Sequence, residues 1–327
     1  MNPQTRRRQI FLLITSVLFL LGFGAYSMTL GSLSLALPDL LAALRHEGTT
    51  VSEKIVWDIR LPRVCGAIAV GAALGVSGAI FQSISRNALG SPDIIGFTTG
   101  AATGAVAQIM LVDAGATATA LAAVFTGVLT SGLVYGLARR GSSYQLILIG
   151  IGVGAILSAC NTLLLARGDY ELALRARLWL SGSLQGRGWQ DIAPAIIGIA
   201  IVIPLVVLIA RHLTIMEMGD DIAHQLGIPV ERVRTTALFL GVSLTAVAVA
   251  AAGPIAFVAL AGPQIARQLT RSGSVQVWCS GIVGAVLLLA ADCLAQALPG
   301  QATVPVGLLT GLIGGIYLLA LLLRARV

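Results

Sequence analysis

Long apolar runs alternate with short polar ones along the whole chain. An uncharged run extends from Ile10 to Ala36, behind Arg6, Arg7 and Arg8. Further apolar segments lie near 63–83, 94–112, 116–138, 144–166, 191–211, 234–252, 255–270, 277–298 and 304–323. They come close to the roughly 20 residues that a helix needs to cross a hydrocarbon layer. The pattern predicts an all-α, polytopic membrane protein of about ten transmembrane helices, with residues 1–327 as a single domain. The first run is too long for a cleaved leader and more spans follow it, so it reads as the first span. The segment 255–270 is the weakest, because Pro254 and Pro263 bracket it.

One polar run breaks the second half of the pattern: residues 212–233, HLTIMEMGDDIAHQLGIPVERV. Met218, Ile222 and Leu226 recur every four residues and so share one helical face. Glu217, Asp220 and Asp221 suit a first turn, where carboxylates meet the positive end of the helix dipole. Gly227 stops that helix, and Pro229 fits the first turn of the next. A short amphipathic helix between two spans has no core to join. It must lie on the membrane surface or dock into another protein, and docking is the expectation here.

Composition agrees with the pattern. Hydrophobic residues make up 57% and charged residues 11%, against roughly a quarter charged in soluble domains. The net charge of +7 does not point to nucleic acid, because the arginines cluster at the ends of apolar segments. Ten spans that start inside put 13 basic residues on the inner side and 8 on the outer. That excess predicts cytoplasmic N- and C-termini. Two outer loops are long, about 31–62 and 167–190, and Trp179 and Trp189 in or beside the second suit a headgroup zone. Cys65, Cys160, Cys279 and Cys293 form no CxxC pair, and the three histidines are isolated, so neither a metal site nor a disulfide is expected. No GxxxxGK[ST] occurs, so the chain does not hydrolyse ATP by that route.

Several residues inside the spans could do more than pack. Gly71, Gly75 and Gly78, and again Gly307, Gly311 and Gly315, form small-residue faces that allow close helix approach. Asp292 is the only carboxylate deep in a span, and an ionisable group there is a candidate anchor or gate. Asn161 is a neutral amide in another span. Pro254 and Pro263 free backbone groups that membrane depth tolerates only against protein or a wet cavity. These four are the pathway or gate candidates. Arg60 and Arg63, in RLPR, sit where the first outer loop enters the second span. They either reach toward headgroups or face carboxylates on an external partner. An ion-coupled secondary transporter using Asp292 is a rival function. A membrane enzyme is another, but no paired carboxylates, metal cluster or activated nucleophile supports it.

The stretch RLPRVCGAIAVGAALGVSGAIFQSISRNALGSPDIIGFTTGA resembles the signature of the FecCD-type permeases of ABC importers for ferric siderophores, haem and vitamin B12. GPIAFVALAGPQIAR is similar to the family's second signature, MGDDIAHQLGIPVERVR to its coupling loop and VPVGLLTGLIGGIYLLALLLR to its last span. Within the family, GVSGAIFQSISRNALGSPDIIGF and EMGDDIAHQLG are most similar to the ferric-enterobactin type. The resemblance implies a multi-pass permease in the bacterial inner membrane, embedded in lipid, with no enzyme activity of its own. It implies a second permease subunit, two cytoplasmic ATPase subunits that carry ATP and Mg, and a periplasmic solute-binding protein that delivers a ferric siderophore. No cofactor is expected on this chain. Within residues 212–233, Glu217, Met218, Asp220, Asp221, Ile222, Leu226 and Gly227 would couple to an ATPase. Arg60 and Arg63 would meet glutamates on the binding protein. Two positions depart from the pattern: Gln264, where the family usually has His, and Gln296, where vitamin B12 members carry arginine.

Overall fold

The structure is a computed structural model that describes residues 3–31, 35–138, 143–298 and 304–324. Arg139, Arg140 and Arg326, counted above as inner cations, lie outside those residues. The elements are α1 (Pro3–Thr29), α2 (Leu37–Leu44), α3 (Thr50–Lys54), α4 (Leu61–Ser85), α5 (Phe97–Leu111), α6 (Ala116–Leu137) and α7 (Ser143–Arg167). They continue as α8 (Tyr170–Leu180), α9 (Trp189–Met216), α10 (Asp220–Gln225), α11 (Val230–Ala252), α12 (Val258–Thr270), α13 (Val277–Ala297) and α14 (Val306–Arg324). Among the described residues there is no strand. Among the described residues seven helices are long and apolar enough to cross a membrane. Two shorter apolar helices, Phe97–Leu111 and Val306–Ala320, add to them, and the 13-residue α12, with Pro254 before it and Pro263 inside it, remains the weakest of the expected ten. The first span starts and stops earlier than its apolar run, at Pro3–Thr29 rather than 10–36. Arginine is a good helix former, so α1 extends back through Arg6–Arg8, and positive-φ Gly31 lies just beyond its end.

Side-chain bonds between distant helices fix which ends lie together. Gln9 of α1 donates to Gln276 at 2.6 Å, and Gln296 donates to Ser27 at 3.0 Å, so α1 and α13 run parallel. Val275 N–H donates to Thr214 Oγ1 at 3.1 Å, which puts the end of α9 beside the start of α13. The helix α10 therefore lies on the same side as the start of α1 and the end of α14. The helices α2, α3 and α8 lie on the other side. The second outer loop is largely α8, opened by Asp169, whose carboxylate accepts from Glu171 N–H at 2.9 Å. Trp189 is anchored in protein, where its indole N–H donates to the Trp57 carbonyl at 2.8 Å.

The spans α4, α11 and α13 are mostly buried, whereas α1, α6, α7 and α9 face outward along most of their length. Glycine makes the buried contacts possible. A Cβ on Gly71 would collide with the Gly284 carbonyl, and one on Gly75 with that of Ser280, both on α13. Gly78 faces the Ala259 carbonyl of α12. That carbonyl is four residues before Pro263, which has no N–H to offer it. Pro263 thus leaves α12 continuous and turns a free carbonyl against α4. The expected face on α14 divides. Gly307 packs against the Ser181 carbonyl, while Gly311 and Gly315 have open space in front of them. The close contact farther along α14 belongs to Gly314, which lies under the Phe257 ring.

Candidate functional site

The polar run 212–233 folds as the end of α9, a break, α10, a second break and the start of α11. The breaks are at Gly219 (φ +123°) and Gly227 (φ +78°), conformations that favour glycine. Glu217 caps the end of α9 instead of opening the short helix, which begins at Asp220. The helix has two unlike faces. Met218, Ile222 and Leu226 are 65%, 42% and 62% exposed, and Asp221 is exposed with them, while Ala223 is buried in the core. The carboxylates of Glu217 and Asp220 turn inward to arginines. Arg234 of α11 donates to Asp220 at 2.8 Å, and Arg86, just past α4, pairs with the other oxygen of the same carboxylate. Arg86 Nε also donates to the Met216 carbonyl at 3.1 Å. Arg267, in the last turn of α12, pairs with Glu217. The sequence reading missed these three arginines as functional residues. The available signal was a cation at the inner end of each of three spans.

On the opposite side, Arg63 turns into the protein. Its Nε and Nη2 each reach Asp292 at 2.9 Å, on different carboxylate oxygens. Asp292 is wholly buried. Gln296 donates to Asp292 at 2.8 Å and to Ser27 as well, so the pair ties α4, α13 and α1 together. Arg60 is also buried, and its guanidinium donates to the Met28 carbonyl of α1. Both arginines of RLPR are thus engaged within the chain. A bidentate arginine leaves Asp292 neutralised, which disfavours its use as a cation site.

The remaining candidates lie apart from one another. Pro254 sits in the irregular link between α11 and α12, where its carbonyl approaches Gly182 after α8. Pro263 is buried against α4. Asn161 is buried on α7, and its Oδ1 accepts no hydrogen bond among the described residues. Gln264, one of the two departures, donates to the Ala88 carbonyl at 2.6 Å and so joins α12 to the segment after α4. Among the described residues no group of His, Cys, Asp and Glu could hold a metal ion.

The FecCD transport family matches over residues 17–324. The chain belongs to the FecCD transport family. Among FecCD relatives, the ferric enterobactin transport system permease protein FepG of Escherichia coli (strain K12) is 44% identical over 92% of each chain. The hemin transport system permease protein HmuU of Yersinia pestis is 36% identical over 100% of this chain and 98% of its own. A solved inward-facing structure, described as of metal-chelate ABC transporter type, superposes with a TM-score of 0.87 at 29% identity. It covers 95% of this chain and 98% of that one.

Proposed function

We propose that this chain is the permease subunit of an ATP-binding-cassette importer in the bacterial inner membrane, passing a ferric siderophore from an external binding protein to the cytoplasm. The observation that carries the reading is α10, a short helix between two spans whose apolar face is exposed. Such a face is a docking surface for a partner. On this reading the partner is one of two ATPase subunits, and ATP and Mg reside there. A second permease subunit, identical or related, completes the membrane part. The chain itself is no enzyme. The name of the 44% identical relative supports a ferric siderophore as cargo. A binding-protein glutamate reaches Arg63 only by competing with Asp292, so docking there and the outer ion pair are alternatives.

The test is uptake by the assembly purified from its native membrane and placed in vesicles with its binding protein. Ferric enterobactin should enter only when ATP is present on the ATPase side. Uptake that follows a proton gradient and ignores ATP would overturn the reading in favour of the ion-coupled carrier.

A further inference from the structure

The short helix that faces the partner is joined to the chain by weak backbone links. It has six residues, and a positive-φ glycine stands at each end. Such links act as hinges, because glycine adopts many conformations at little cost. A push on α10 alone could be absorbed by rocking about Gly219 and Gly227. Something else must make the spans follow.

Two side-chain bridges cross the hinges, and a third holds the end of α9 from which the first hinge springs. Arg86 spans the Gly219 break itself, holding the Met216 carbonyl before it and Asp220 after it. Arg234 ties the same carboxylate to the first turn of α11. Arg267 ties Glu217 to the last turn of α12. The helices so reached are already joined to one another. Gln82 of α4 donates to the Leu260 carbonyl of α12 at 3.0 Å, and Gln264 of α12 donates back to the Ala88 carbonyl. At its far end α4 is held to α13 by Arg63 and Asp292.

We propose that Glu217 and Asp220 are positioning residues that transmit motion. Asp220, through Arg86 and Arg234, locks the docking helix to α4 and α11. Glu217, through Arg267, locks the end of α9 to α12, so that all move as one body, while Met218, Asp221, Ile222 and Leu226 alone bind the partner. The coupling loop thereby divides into an outward docking face and an inward transmission face. The inference rests on the importer reading above. The side chains of Arg86 and Asp220 are 37% and 39% exposed, and ion pairs of that kind contribute little to stability. The Glu217–Arg267 pair is less exposed, at 17% and 31%, so its test uses the amide Glu217→Gln, which can still hydrogen-bond the arginine and keeps a loss of coupling readable.

The experiment uses the complete assembly with its ATPase subunits. The first variant combines Glu217→Gln and Asp220→Asn. Its ATPase should stay bound and hydrolysis should continue, while ferric enterobactin imported per ATP falls about tenfold, within the usual range of coupling between sites. The second variant exchanges one pair, Glu217→Arg with Arg267→Glu, and should recover most of the coupling that Arg267→Glu alone loses. A third measurement needs no cargo. Spin labels at His224→Cys on α10 and Ser272→Cys beyond α12 should keep their separation when nucleotide is trapped in the parent assembly. They should lose that constancy in the neutral double variant. Unchanged import per ATP in the neutral variant would overturn the proposal, as would loss of the ATPase from it or a labelled distance that shifts equally in both proteins. Failure of the importer reading looks different: the unmodified chain would then purify without any ATPase.

Discussion

Asp292 brings a negative charge into a wholly buried site, and the hydrogen bonds from Arg63 and Gln296 are what make that tolerable. Breaking such a pair from one side leaves an uncompensated charge, at a cost of about 3–5 kcal/mol. Asp292→Ala should therefore lower the melting temperature of the detergent-solubilised protein sharply. Replacing both partners, Arg63→Met with Asp292→Leu, should recover a large part of the loss, because no buried charge remains. If the double variant melts lower than the single one, the pair is not the anchor described here. The sequence marks Asp292 as unusual, since it is the one carboxylate deep in a span. It does not reveal the partner, which lies 229 residues away. Helical periodicity relates only near neighbours, so Arg63 reads as an outer-surface arginine until the fold brings α4 beside α13.

At the level of helices, the contact of α4 with α12 and α13 depends on carbonyls meeting glycines. Gly78 is the sharpest case, because Pro263 frees the Ala259 carbonyl that fills the space a side chain would need. Gly78→Ala should cost at least the roughly 1–3 kcal/mol of an overpacked core, since backbone must yield. Gly311→Ala, with nothing in front of it, should stay within about 0.5 kcal/mol in the isolated chain. Thermal unfolding of the two variants in one detergent checks both expectations, and equal losses would refute the contact described. The four-residue spacing of Gly307, Gly311 and Gly315 correctly places them on one face. Spacing says nothing about what that face meets: of the three only Gly307 is buried, and the second buried glycine of α14 is Gly314. The break at Pro254 was legible for the same reason that the role of Pro263 was not: a missing N–H is local, whereas the carbonyl's new neighbour is tertiary.

For the molecule as a whole, polarity alone marks the long apolar segments and the one polar run that folds as α10. Polarity cannot tell a lipid-facing span from a buried one, because lipid tails are as apolar as leucine and provide no contrast. The buried trio α4, α11 and α13 and the peripheral α1, α6, α7 and α9 therefore look alike until they are folded. The short helix α10 escapes this ambiguity because it lies in a polar run between two long apolar helices, and an exposed apolar stripe there needs a cover. Leu226, 62% exposed near the end of that stripe, contributes little to the fold of the isolated chain. Leu226→Glu should leave the melting temperature of the permease alone almost unchanged and strip the ATPase from the purified assembly, lowering the mass of the complex by the two ATPase subunits. A charge within a desolvated contact forfeits apolar burial and remains unpaired, which is why one substitution should suffice. If the mass stays the same, the stripe does not hold the ATPase. The exposed face of α10 would then have to meet the membrane surface, where Met218, Ile222 and Leu226 could bury themselves without any partner.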